Sequence, residues 1–435
     1  MTAYARLLAR DPNRSKYDLS RIQALVDGLG HPERAYPTVL IAGTNGKGSV
    51  AAIVERALRA SGRRTGRYTS PHLVHPEERI AIDGRPVDTV DFEAAIRAVE
   101  AVESALINDG RLRETATFFE AMTAAAFEVL RRRAVDVGVI EVGLGGQLDA
   151  TNVCTPVATA IVSIDLDHQR ELGPAIRDVA AAKAGIARQD VPLVIGDLGD
   201  EALDVVAAAA AAAGAPLVYA AEGTECVVAG AADGRLTITL QTPTRTYGPV
   251  RLALAGAHQA ANAFVAVALL EALDDAGIHV DRAAVETGLA EARWPGRLDR
   301  VTLADGRSAL LDAAHNAAGA RALASALRGS GTRPPLVFAA SKDKDVSTMI
   351  AALAPAVGDI VVTAFADPRA MPADELAARV RTVVTDAEAA RVRVAPTPDA
   401  ALAAAWALAP SIVVAGSIFL LGEIYPRLGR PDPFA

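Results

Sequence analysis

An α/β protein built on parallel sheets is what this sequence predicts, and three observations predict it. Apolar runs rich in β-branched residues recur along the chain: "TVLIAG", "VDVGVIEVG" and "ATAIVSIDLDH" early, then "SALLDAAH", "PLVFAAS", "DIVVTAF" and "SIVVAGS" late. Alanine-rich, helix-forming stretches separate them. The runs are apolar without alternation, as expected of strands covered on both faces by helices.

The elements follow in order. A chain of 435 residues exceeds the size at which one core keeps growing, so two domains are expected, 1–296 and 297–435. The segment "ARWPGRLDR" (292–300), carrying Pro and Gly, is the hinge between them. The run "VVAAAAAAAGAPLV" (205–218) is a helix stopped by Gly214 and Pro216. After it, residues 225–256 alternate apolar and polar around the turn signal Ala232-Asp233-Gly234. This predicts an antiparallel patch within about 216–256, attached to the first domain.

Composition removes several function classes. No window reaches the roughly 18 apolar residues of a membrane-spanning helix, and the start of the chain lacks a signal-peptide core, so a soluble, cytoplasmic protein without a membrane partner is expected. Two cysteines, Cys154 and Cys226, support neither a disulfide framework nor a metal cluster. A net charge of −8 without a dense basic block argues against nucleic acid as a partner. Of 44 basic side chains only five are lysine: Lys16, Lys47, Lys183, Lys342 and Lys344. In so arginine-rich a chain, a lysine is a candidate for work that a permanently charged guanidinium cannot do, although Lys16 is read as accidental.

The chemistry gathers where strands end. "GTNGKGS" (43–49) follows the first apolar run and opens a helix. Its glycines let backbone N–H groups converge on an anion, the helix N-terminus adds positive potential, and Lys47 can reach β- and γ-phosphates. It departs from the common spelling, in which a hydroxyl residue follows the lysine directly; here Gly48 intervenes before Ser49. Glu141 closes "VDVGVI" and is expected on the same rim, where a carboxylate suits Mg²⁺. His168, in "SIDLDHQRELG", is expected to end the next strand likewise, with Asp165 and Asp167 as turn formers. Lys183 lies in a helix just downstream; an amine able to lose its proton can take up CO₂ as a carbamate. Ser70 offers a hydroxyl beside Pro71. His72 and His75 lack the spacing of a zinc site.

The motifs "GTNGKGS", "TSPHL", "TFFEAMTAAAF", "EVGLGGQLDATN", "LDHQRELG", "KAGI", "GAHQAANA", "WPGRLDR", "LDAAHN" and a "GS" pair near the end occur in that order. Together they resemble the folylpolyglutamate synthase/dihydrofolate synthase family of the Mur ligase superfamily. The resemblance implies a P-loop-containing Mur-ligase-like ATPase domain followed by a smaller Rossmann-like α/β domain. It implies that Thr44, Asn45, Gly46, Lys47, Gly48 and Ser49 surround the phosphates of ATP, and that Ser49, Ser70 and Glu141 serve one Mg²⁺. His168, Glu141 and carbamylated Lys183 would govern a second Mg²⁺. Asn262 would face the adenine, while Arg297, Asp312 and His315 reach the nucleotide from the second domain. Thr117, Phe118, Phe119 and Ser417 would line the substrate side. Lys47, His168, Lys183 and His315 are the residues expected to carry catalysis. Gln147, Ala182 and Ala317 stand where the family more often has other residues.

The activity implied is ligation of L-glutamate to the carboxylate of dihydropteroate or a reduced folate through an acyl phosphate, by a monomer using ATP and two Mg²⁺, with a monovalent cation left open. Two alternatives are weighed: another Mur-type amino-acid ligase, against which stand only about 36 residues before the first strand, and a non-catalytic ATP-binding switch. The choice between dihydropteroate and folate stays open.

Overall fold

The computed structural model describes residues 2–10, 18–329, 331–385 and 389–434; Lys16 lies outside them. Eight strands form the first sheet: β1 (Thr38–Ala42), β2 (Thr65–Tyr68), β3 (Ile80–Ile82), β4 (Arg85–Pro86), β5 (Val137–Glu141), β6 (Pro156–Ile161), β7 (Leu193–Ile195) and β8 (Leu217–Tyr219). Their order is β4-β3-β2-β5-β1-β6-β7-β8. Neighbours from β2 to β8 run parallel, while β3 and β4 pair antiparallel at one edge.

The non-alternating runs have the cause expected of them. Leu40 and Ala42 of β1 face a core with Phe127, Leu130 and Ile140. Val39 and Ile41 face the opposite core with Val50, Val54, Leu58 and Leu269. Each fully buried side chain of this size contributes about 1.5–3 kcal/mol relative to an exposed one, which is why the strand tolerates no polar alternation. The helix Phe118–Arg132 starts on Thr117, whose hydroxyl accepts from Glu120 N while the Glu120 carboxylate accepts from Thr117 N.

The antiparallel patch comprises β9 (Glu225–Ala232), β10 (Arg235–Gln241) and β11 (Thr246–Arg251). Asp233 and Gly234 turn the first hairpin with φ of 52° and 73°, the left-handed pair that matches strand twist. The patch begins at 225, not 216, because Leu217–Tyr219 pairs in parallel with β7 in the main sheet. Ile238, Leu240 and Tyr247 fasten it to the core beneath β1. The alanine run forms Asp200–Ala213, ended by Gly214 at φ 69°.

Six further strands form a second sheet: β12 (Asp299–Thr302), β13 (Ser308–Leu311), β14 (Leu336–Phe338), β15 (Ile360–Val362), β16 (Val392–Val394) and β17 (Ser411–Ala415). The order is β12-β13-β17-β14-β15-β16, parallel except for β12. It too is covered on both faces, by cores containing Leu336 and Phe338 on one side and Val337 and Val414 on the other. Residues 292–298 join the sheets without regular structure. Among the described residues, no helix is long and apolar enough to cross a membrane.

Candidate functional site

β1 lies between β5 and β6, so the chain leaves β1 in one direction and crosses back in the other. Such a switch point opens a crevice at the carboxyl ends of the strands. Gly43 and Gly46, at φ 151° and 84°, turn the chain there, and Gly46 caps the helix Lys47–Ala60. A Cβ on Gly46 would collide with Asn262 Oδ1 and come within 2.7 Å of Val162, so only glycine fits. The loop is tied to the segment after β6. Thr44 N donates to Ser163 O at 2.8 Å, Thr44 Oγ1 to Asp165 O at 3.0 Å, and Asn45 N to Ser163 Oγ at 3.0 Å.

Two lysines meet at one carbonyl. Lys47 Nζ donates to Gly43 O at 2.9 Å and Thr44 O at 3.3 Å, and Lys183 Nζ donates to the same Gly43 O at 3.0 Å. Burial, then the charge of Lys47, lowers the Lys183 ammonium to about 7, so much of this amine is unprotonated near neutrality. Glu141 ends β5 as expected. Its Oε1 lies 3.9 Å from Lys47 Nζ, and its Oε2 accepts from Ser70 N at 3.3 Å. Burial raises the Glu141 carboxyl above its ordinary value despite the opposing pull of Lys47. Ser49 is buried, its hydroxyl 3.5 Å from Gln259 Nε2, and Gln259 Oε1 accepts from Asn262 Nδ2 at 2.8 Å.

His168 does not end a strand. β6 stops at Ile161, and His168 lies seven residues further on, in a left-handed conformation at the start of the short helix Gln169–Leu172. The chain leaves the sheet here without regular structure, Asp165 Oδ1 accepting from Leu166 N and Asp167 Oδ1 from His168 N, both at 2.8 Å. The nearest acidic neighbours of the His168 imidazole are Glu171 at 3.9 Å and Asp167 at 4.0 Å. Among the described residues no three His, Cys, Asp or Glu side chains gather as a metal cluster. His72 and His75 serve structure: His72 Nδ1 accepts from Arg79 Nε at 2.9 Å, and His75 Nε2 donates to Pro431 O at 3.0 Å.

Residues from the second sheet close over this rim. Asp312 follows β13 and accepts from Leu298 N and Ala314 N, both at 2.9 Å, fixing the backbone just after Arg297. Arg297 itself donates to Gly296 O at 3.1 Å. His315 Nε2 lies 3.4 Å from Asp167 Oδ2, and Asn316, which caps the helix Ala317–Arg328, donates from Nδ2 to both Asn45 Oδ1 and Asp167 Oδ2 at 3.1 Å. Burial works against the Asp167 carboxylate, yet the His315 hydrogen bond and the Lys344 charge hold it well below the usual range. Asp167 is more than a turn former, and neither its role as hub nor its partner Lys344 was assigned from sequence. The scarcity of lysine was the available signal for Lys344.

Of the residues expected on the substrate side, Thr117 and Ser417 are helix caps. The Ser417 hydroxyl accepts from Phe419 N at 3.2 Å. Phe118 lies under the Arg79 guanidinium, 5.2 Å from ring centroid to Cζ, and Phe119 packs on Gly143 and beside Tyr68.

Residues 41–270 match the Mur ligase middle domain, and residues 296–418 match the Mur ligase glutamate ligase domain. A dihydrofolate synthase/folylpolyglutamate synthase of Mycobacterium tuberculosis is 38% identical over 445 residues, covering 95% of this chain and 90% of that protein. A crystal structure of M. tuberculosis folylpolyglutamate synthase complexed with ADP and AMPPCP superposes with a TM-score of 0.91 at 36% identity, covering 99% of this chain and 98% of the other. A bifunctional folylpolyglutamate synthase/dihydrofolate synthase with Mn, AMPPNP and L-glutamate bound gives a TM-score of 0.84 at 27% identity, covering 99% and 98%. With its crevice at the β1 switch point and this likeness along nearly its whole length, the chain belongs to the folylpolyglutamate synthase/dihydrofolate synthase family of Mur ligases.

Proposed function

We infer that this protein is an ATP-dependent ligase joining L-glutamate to the carboxylate of a pterin-bearing acid, dihydropteroate or a reduced folate. The observation that carries the reading is the convergence of Lys47, Lys183 and Glu141 around Gly43 at the switch point, in a chain with this family membership. A carboxylate oxygen of the acid attacks the γ-phosphorus of ATP, and the bond to ADP breaks. The glutamate amine then attacks the acyl carbon, the bond to phosphate breaks, and the amine loses a proton as the amide forms.

Thr44 to Ser49 supply backbone N–H groups and Lys47 an ammonium for the phosphates. Lys47 is satisfied by two carbonyl oxygens, neutral acceptors it can exchange for a charged one. Asn262 faces the base, and Arg297, whose neighbour Leu298 is held through its N–H by Asp312, reaches the nucleotide together with His315. Thr117, Phe118, Phe119 and Ser417 belong to the substrate side.

The donors fit a hard divalent cation. Ser49, Ser70 and Glu141 offer oxygen, and the Glu141 carboxylate accepts a single hydrogen bond among the described residues, which leaves lone pairs for an ion. His168, Glu141 and carbamylated Lys183 would hold a second. When bound, Mg²⁺ neutralises charge on the phosphoryl oxygens. Docking of the second sheet over the crevice keeps water from the acyl phosphate.

The same reading divides the chain at 296/297, supported by the irregular 292–298 segment between the sheets. It takes the protein as a cytoplasmic monomer. Two unpaired cysteines agree with a reducing compartment.

The test is the purified protein with ATP, Mg²⁺ and labelled glutamate, offered dihydropteroate and tetrahydrofolate separately. ADP release that requires both glutamate and one of the acids is expected. Tight ATP binding with turnover on neither acid would replace the ligase by a switch.

A further inference from the structure

The phosphate loop departs from its common spelling at Gly48, and the structure supplies a steric reason. A Cβ at this position would lie 2.5 Å from Cε2 and 2.6 Å from Nε1 of Trp294. Gly48 sits in the first turn of the helix Lys47–Ala60 without a positive φ, so space and not backbone conformation demands glycine.

The indole is partly buried and is held by two neighbours. The Arg67 guanidinium lies over it, 5.0 Å from the ring centroid, and Phe434 meets it at 5.7 Å with the rings inclined by 69°. Arg67 is buried, its Nε has no hydrogen-bond partner among the described residues, and its Nη1 lies 3.7 Å from Glu55 Oε2, on the same helix as Gly48. The helix therefore holds the cation that holds the ring that rests on the helix. Trp294 itself belongs to the 292–298 segment between the two sheets.

We propose that Trp294 is a positioning residue for the phosphate cradle: its indole fills the volume a side chain at 48 would take, and so fixes the first helical turn whose N–H groups face the nucleotide. This rests on the nucleotide reading of the crevice. The role is positional, since the ring acts through the backbone of residue 48.

The experiment is a double-mutant cycle of Gly48→Ala and Trp294→Leu, read by ADP binding, by steady-state kinetics and by thermal unfolding of the ligand-free protein. Overpacking against a fixed ring predicts that Gly48→Ala alone weakens ADP binding roughly tenfold or more. In the Trp294→Leu background the same change is expected to cost less than about twofold, because the clash is gone. Trp294→Leu should raise KM for ATP while leaving KM for glutamate within about twofold, and Trp294→Phe should restore most of the loss. The protein has two tryptophans, so in a Trp406→Phe protein ADP should shift the emission of Trp294. Equal cost of Gly48→Ala in both backgrounds, in binding and in melting temperature, would overturn the proposal. Failure of the wild-type protein to bind ADP would instead overturn the nucleotide reading, while the cycle in melting temperature still decides whether the ring fixes the turn.

Discussion

Lys344 Nζ lies 2.6 Å from Asp167 Oδ1, with the two side chains 11% and 9% exposed, and the pair joins the second sheet to the loop that follows β6 of the first. Asp167 Oδ2 simultaneously accepts from Asn316 at 3.1 Å and faces His315 at 3.4 Å. One carboxylate thus gathers three groups from the other sheet's loops. Lys344→Met leaves this carboxylate short of its cation. Removing one member of a desolvated, hydrogen-bonded pair costs on the order of 2–5 kcal/mol. The docked arrangement should loosen, visible as a larger radius in small-angle scattering and as ligase turnover reduced at least about tenfold. Unchanged scattering and turnover would show that the pair does not hold the two halves together.

Glu141→Gln separates function from stability. Burial opposes the charged carboxylate, and the amide oxygen can still accept from Ser70 N, so the urea midpoint is expected to stay level or rise. Turnover should fall by roughly 10²–10³, the cost of losing one electrostatic partner of a transferring group. ADP release measured across a Mg²⁺ titration checks both the loss and its metal dependence.

Lys183→Arg keeps a long basic side chain but removes the amine that can take up CO₂. A drop of roughly 10–100-fold in turnover is expected, in the range found when groups around a metal are altered. With ¹³C-bicarbonate, the wild-type protein should show a carbamate carbon resonance that the variant lacks. Absence of that signal from an active wild-type enzyme would leave Lys183 a simple amine.

The cysteines should react unequally. Burial pushes the Cys154 thiol up to about 11, and that side chain is enclosed, whereas Cys226 is partly exposed. At pH 8 the Cys154 thiolate is on the order of one part in a thousand. Brief treatment with iodoacetamide should therefore modify Cys226 alone, with Cys154 reacting only after unfolding, as read by peptide mass spectrometry.

Much of the crevice was legible in the residues. "TVLIAGTNGKGS" announces a buried strand, a glycine turn and a helix start within one short stretch, and Glu141 closes an apolar run that could hardly be other than a strand. His168 was misplaced because "ATAIVSIDLDH" is apolar beyond the point where pairing with β1 ends at Ile161, and composition does not mark that point. Thr117 and Ser417 are caps whose position at a helix start was not read. The strands β7, β8 and β16, of three residues each, were not assigned from the sequence, although β14 and β15 are as short.

By itself the sequence determined what short-range physics determines: alternating strands and helices, a glycine-rich turn from strand into helix at 43–49, a carboxylate at a strand end and an economy of lysines. Only the tertiary structure decided that Lys183 meets Gly43 across 140 residues, that Lys344 meets Asp167 across 177, and that Trp294 stands over Gly48. The first kind follows from dihedral preference and burial period, which neighbouring residues carry among themselves. The second follows from strand order and the docking of one sheet's loops on the other's, and no local pattern states which of 52 acidic side chains will be brought to a given lysine.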